Sequence, residues 1–119
     1  MNYDINLVWS TLISLSSEEV DKLNGGGIEG VFRISKKESD GKFYVVFIGS
    51  ASDIKNELSS LLSEEKGFLK QGGDFAFRYA PIKSEDKRKA IEKQMFKQYV
   101  PRYNSKEPVS PIEVKVNLN

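Results

Sequence analysis

The chain has 119 residues, 39% of them hydrophobic and 11% aromatic, which is the length of one compact domain with enough apolar material to bury a core. Cysteine and histidine are both absent. That excludes disulfides, thiolate metal sites, cysteine nucleophiles and the neutral-pH acid–base and zinc chemistry of imidazole. The net charge of +1 is uneven: residues 1–82 carry 9 basic and 12 acidic side chains (−3), and residues 83–119 carry 9 and 5 (+4). A basic stretch of this kind is either a solvated helix face or a phosphate-facing surface.

Residues 9–15 are largely apolar and lead into Ser16-Ser17-Glu18-Glu19. Ser16 and Glu19 have the spacing of a capping box, in which each side chain satisfies an orphan backbone N–H, so a short helix is predicted over residues 17–23. Asn24-Gly25-Gly26-Gly27 ends it, because glycine tolerates left-handed backbone. Such a run can also cradle a phosphate, although a plain loop explains it more simply. Two β-like runs, residues 30–35 and 42–49, flank Ser39-Asp40-Gly41-Lys42, where Asp-Gly is a strong hairpin signal. Residues 44–48 are continuously apolar and predict a strand covered on both faces. Ser52 is the expected cap of the next helix, with Asp53 favourable at its positive end. Ile54, Leu58, Leu61 and Leu62 follow as a core-facing stripe. Gly67 and Gly72-Gly73 interrupt the chain before a third strand, in which Phe75, Phe77 and Tyr79 alternate with Ala76, Arg78 and Ala80 and which Pro81 ends. Ser84 caps the longest predicted helix, residues 85–99, with Ile91, Met95 and Tyr99 on one face, Phe96 beside it and Pro101 as its stop. Residues 112–116 alternate like an edge strand. The predicted class is α+β: a small, mainly antiparallel three-stranded sheet flanked by helices, with an extra C-terminal edge strand. No apolar run approaches the roughly 20 residues that span a bilayer, and the N-terminus lacks the basic start of a signal peptide. The expectation is a soluble, cytoplasmic (intracellular) protein.

Several short segments then fall into a recognisable order. Gly30-Val31-Phe32-Arg33-Ile34 opens the first strand of the hairpin, and Phe47-Ile48-Gly49-Ser50 closes the second. Ser50-Ala51-Ser52-Asp53-Ile54 enters a helix, Ile91-Glu92-Lys93 lies on the long helix, and Tyr99-Val100-Pro101-Arg102-Tyr103-Asn104 follows it. Together they resemble the GIY-YIG nuclease family over about residues 28–104, within a single domain of residues 1–119 that adds an N-terminal helical extension (1–27) and a tail (105–119). Gly30, Gly49 and Asn104 match the motif positions. The resemblance implies a divalent cation, Mg²⁺ or Mn²⁺ together with nucleic acid, held by Glu92. It also implies a motif tyrosine that helps activate water and a helix arginine that stabilises developing charge. Phosphodiester cleavage needs such a base, a cation on the phosphate and a route for the leaving oxygen.

At these positions the chain departs from the pattern. Phe32 and Phe47 stand at the two tyrosine positions and carry no hydroxyl. Glu57 stands where the arginine would be, reversing its charge, and Leu61 stands one turn later at a position often polar. Loss of one transition-state donor costs roughly 10²–10³ in rate, and loss of a general base roughly 10²–10⁴, without simple multiplication. Simple structural readings also exist: Phe32 and Phe47 as cross-strand packing, Asn104 as a turn cap, and Glu92 as a surface ion pair with Arg88 four residues earlier.

The first expectation is therefore a catalytically impaired pseudo-nuclease that binds nucleic acid through Lys87, Arg88, Lys89, Lys93, Lys97 and Arg102. An alternative is an active, diverged metal-dependent endonuclease, with Glu57 joining Glu92 at the metal, or Tyr44 or Tyr79 replacing the lost hydroxyl. A third is a protein-interaction module or nuclease-assembly subunit that uses the strand at residues 112–116.

Overall fold

The Asp40-Gly41 pair reverses the chain where its chemistry requires. Gly41 takes φ +81°, and Asp40 Oδ1 accepts from the Lys42 N–H at 2.8 Å. This turn joins β3 (Gly30–Lys37) to β4 (Phe43–Ala51), both a little longer than the sequence predicts. The computed structural model describes residues 2–23 and 27–118. The other strands are β1 (Asn2–Ile5), β2 (Ile13–Ser14), β5 (Phe75–Pro81) and β6 (Glu113–Val116). The helices are α1 (Ser17–Asp21), α2 (Ile54–Ser63) and α3 (Glu85–Tyr99), with a 3-10 turn at Phe68–Gln71.

Strands β2, β5, β3 and β4 form, in that spatial order, an antiparallel sheet with β3 and β5 at its centre. The expected three-stranded α+β sheet is thus present. It is joined by the two-residue β2, which lies in the apolar segment before α1 and pairs Ile13 with Phe77. Side-chain alternation divides the core in two. Phe32, Ile34 and Phe77 on one face pack with Val20 of α1 and with Ile54, Leu58 and Leu61 of α2. Val31, Ile48 and Ala80 on the other pack with Ala90, Ile91 and Met95 of α3 and with Val114 and Leu118 of the tail. Strand β4 is covered on both faces only along part of its length. Val46 and Ile48 are buried, whereas Phe43 and Tyr44, near the hairpin tip, are 38% and 47% exposed.

Helix starts follow local side-chain chemistry. The Ser16 hydroxyl accepts from the Glu19 N–H at 3.2 Å, and the Ser84 hydroxyl accepts from that of Lys87 at 3.3 Å. Asp53, not Ser52, caps α2. Its backbone is extended, and its carboxylate accepts from the Asn56 N–H at 3.1 Å, so the helix begins one residue later than Ser52 would dictate. At the end of α3, Val100 adopts the left-handed conformation (φ 45°, ψ 58°) with 77% of its surface exposed. Of the predicted triple-glycine run, only Gly27 lies inside the described residues, at φ +89°.

The tail strand does not extend the main sheet. β6 pairs in parallel with β1, from Asn2 opposite Glu113 to Ile5 opposite Val116. The free edge of β4 is already occupied by residues 103–104, and Val114 and Leu118 of the tail are buried against α3. Gln94 Nε2 donates to the Val114 carbonyl and fixes β6 on α3. Arg33 ties both ends of the chain to the sheet: its guanidinium lies 4.4 Å from the Trp9 ring centroid and donates to the Tyr99 hydroxyl and, at 2.8 Å, to the Leu118 carbonyl. No helix among the described residues is long and apolar enough to cross a membrane.

Candidate active site

The two motif glycines serve close packing. Gly30 lies in β3 between Ala51 of β4 and Pro81 of β5, and a Cβ there would strike the Ala80 carbonyl oxygen. Gly49 faces Phe32 across the β3–β4 ladder, and a Cβ there would stand 2.5 Å from Phe32 Cζ. Phe32 fills that slot and is only 1% exposed. Its ring lies 6.2 Å from Phe47, which stacks on Phe68 at 5.1 Å, and Phe68 stacks in turn on Tyr103 at 4.5 Å. A continuous aromatic row thus occupies the α2 face where water-activating hydroxyls were sought. Leu61 is buried in the same cluster.

Asn104 has a definite mechanical role. Its side-chain oxygen accepts from the Ile48 N–H at 2.8 Å, and its amide donates to the Ile48 carbonyl at 2.9 Å. The Tyr103 N–H donates to the Val46 carbonyl at 2.9 Å. Residues 103–104 therefore behave as a short extra strand that satisfies the outer edge of β4. The expected turn cap is an edge cap.

Glu92 sits next along that same edge. Its carboxylate is half-buried beside Ser50, accepting from the hydroxyl at 3.3 Å and from the backbone N–H. Burial pushes its pKa above the ordinary 4.5. The Ser50 hydrogen bonds and the charge of Lys89 pull it back, and the nearby Glu57 carboxylate raises it further. The charge of Glu57 is thus a minor influence on Glu92, behind burial, Ser50 and Lys89. The anticipated Glu92–Arg88 ion pair is not what holds Glu92. Arg88 is buried and donates to the carbonyls of Ile82 at 3.1 Å and Lys83 at 2.8 Å, with Glu29 at 3.6 Å. The register of α3 that buries Ile91 and Met95 also turns Arg88 inward. The Ser50 partner carried no local signal, because it comes from a strand 42 residues away in sequence.

The remaining candidates scatter. The Tyr44 hydroxyl donates to Asp40 at 2.5 Å, which raises its pKa and lowers that of Asp40. Ser50 lies six positions beyond Tyr44, about 20 Å along β4, so Tyr44 stands away from Glu92. Tyr79 lies opposite Phe32 on β5. Lys89 pairs with Glu85 at 3.2 Å, Lys97 with Glu107 at 3.7 Å and Arg102 with Glu38 at 3.5 Å. Lys87 and Lys93 are half-buried on α3. Among the described residues no three carboxylates gather as a ready metal cage.

No family model matches the chain, and no curated protein matches it. Two solved structures share its fold, both of the GIY-YIG N-terminal endonuclease domain of UvrC from Thermotoga maritima, in two tyrosine-to-phenylalanine point mutants bound to the catalytic divalent cation. They are 23% and 22% identical to this chain, cover 75% of it and 98% of their own length, and superimpose with a TM-score of 0.56.

Proposed function

We propose, starting from the GIY-YIG-like fold, that the chain is a nuclease-like domain that binds nucleic acid and does not hydrolyse it at an appreciable rate. The observation that carries this reading is the aromatic row. Phe32 and Phe47 bring no proton acceptor to the sheet, and Phe32 is packed against Gly49 and closed off from solvent. Glu57 adds a negative charge beside Glu92 where a cleavage site would use a positive one, which opposes approach of a phosphate.

The residues present fit a divalent cation only in company. Glu92 would hold it, with Glu57 as a second carboxylate and phosphate oxygens of bound nucleic acid as further ligands. One or two carboxylates plus phosphates is a common Mg²⁺ arrangement. When bound, the cation would supply charge neutralisation at the phosphate and relieve the Glu57–Glu92 repulsion. Ser50 orients the Glu92 carboxylate, and Lys89 lowers the cost of its charge.

The Glu57 charge felt at Glu92 also favours a second reading, a rewired metal-dependent endonuclease with a two-carboxylate site. Tyr79 is the hydroxyl such a site would recruit, since Tyr44 is bound to Asp40 at the far end of β4. The two readings separate in one gel. Supercoiled plasmid incubated with the protein and Mn²⁺ at low salt should remain supercoiled after the protein is removed, while a single-stranded oligonucleotide run beside it shifts in mobility. Conversion to nicked circle that Glu92→Ala abolishes would establish the second reading instead.

A further inference from the structure

Lys93, Gln94 and Lys97 fall at i, i+1 and i+4 on α3 and share a stripe distinct from the core stripe of Arg88, Ile91 and Met95. This stripe faces the C-terminal segment across a groove of about 570 Å³, whose far wall includes Ser110, Glu113 and Lys115. The wall is fixed in place. Gln94 donates to the Val114 carbonyl, the Ser110 hydroxyl donates to the Ile112 carbonyl at 2.7 Å, and β6 is paired along its length with β1.

We propose that this groove is the track of a single nucleic-acid strand, gripped through its phosphates; the proposal rests on the nucleic-acid reading above. Three lysines and one glutamate line the groove, Lys93 and Lys97 on the helix wall and Lys115 beside Glu113 on the other. Among the described residues, Lys93 and Lys115 make no ion pair with an acidic side chain. The Lys97–Glu107 pair is long, at 3.7 Å, with the lysine side chain 64% exposed, so a phosphate can displace it at little cost. Four helical residues rise about 6 Å, which spaces Lys93 and Lys97 along the groove rather than across it. Lys115 grips from the opposite wall. A groove of about 570 Å³ between one helix stripe and one short strand suits an extended single strand.

The placement also explains binding without cleavage. Glu92 points from α3 toward Ser50 of β4, whereas the lysine stripe borders the tail. A strand held in the groove lies on the opposite flank of α3 from the Glu57–Glu92 pair. Of the basic residues expected at the nucleic acid, the groove takes Lys93 and Lys97, adds Lys115 and leaves out the buried Arg88.

The test is fluorescence anisotropy of a short labelled oligo-thymidylate with the full chain across a salt series. Three phosphate contacts predict a slope of log affinity against log salt of about −2 for a single strand. Lys93→Gln/Lys115→Gln should weaken binding about tenfold or more at low salt and flatten the slope to about −0.7. Lys66→Gln/Lys70→Gln, at exposed positions after α2, should change neither. Undiminished affinity in the groove variant, with the wild type binding normally, would overturn the groove and leave nucleic-acid binding standing. Absence of wild-type binding at low salt would overturn both. Equal affinity for a poly-glutamate chain would mark the groove as a seat for acidic protein and overturn the assignment. Lys115 is exposed and Lys93 half-buried beside the groove, and a circular-dichroism melt matching wild type shows that the fold is intact.

Discussion

Replacing Gly49 with alanine places a methyl group 2.5 Å from Cζ and 2.9 Å from Cε1 of Phe32. Gly49 does not use left-handed backbone, so the conflict is with the ring and not with the main chain. The ring has little freedom to move, since it lies at 1% exposure against Phe47 on a face closed by α2. Overpacking of this kind costs typically 1–3 kcal/mol, and the confined ring argues for about 2–3 kcal/mol here. For a domain of this size that lowers Tm by roughly 6–15 °C. The assay is chemical denaturation of wild type, Gly49→Ala, Phe32→Leu and the double variant. The smaller leucine should accept the new methyl, so the double variant should be more stable than the sum of the two losses by about 1–2 kcal/mol. Losses additive within about 0.5 kcal/mol, or a Gly49→Ala protein as stable as wild type, would refute the claim that this glycine exists to seat Phe32.

Asn104→Ala strands both the N–H and the carbonyl of Ile48, at about 1–3 kcal/mol for each group left unsatisfied. Amide exchange at Ile48 should accelerate, and unchanged protection would remove the edge-cap role. Val100→Gly relieves a β-branched residue held at φ 45°, a strain of about 1–3 kcal/mol partly offset by about 0.5–1 kcal/mol of added chain entropy. A small rise in Tm is expected, and a fall would show that the exposed side chain contributes packing. Burial raises the folded-state pKa of Glu92, so the neutral carboxyl favours the fold below its ordinary 4.5, and that contribution is lost as pH rises through the raised value. In metal-free buffer, Glu92→Gln should match wild type in acid and exceed it near neutrality; a wild type that gains on the variant as pH rises reverses the sign. Arg33→Gln should loosen both chain ends, visible as faster proteolysis of the tail, because Trp9, Tyr99 and Leu118 all meet that guanidinium. Equal cleavage rates would count against the clasp.

What could be read from sequence was local. Ser84 and Pro101 bracket α3, and Asp40-Gly41 makes its turn, because capping and turn chemistry act within a few residues. The glycine at 49 could be matched to a motif, but that it accommodates Phe32 appears only once β3 and β4 are in register. Arg88 looked like one more surface cation, and its burial follows from the rotation of α3 on the sheet. The tail strand was visible as alternation, but its partner was not. β1 and β6 meet from opposite ends of the chain, and no local pattern encodes such a pairing. The same holds for Glu92. Its neighbours in sequence suggested Arg88, whereas its partners are Ser50 and the charge of Glu57, both brought by the fold.

The most direct test of binding without hydrolysis is single-turnover cleavage of end-labelled DNA by protein in excess with Mn²⁺, wild type beside Glu92→Ala prepared identically. The account predicts that both proteins leave the DNA intact, with any trace cleavage equal in the two. Cleavage by wild type that disappears with Glu92 would contradict it and make the Glu57–Glu92 pair the centre of a working nuclease.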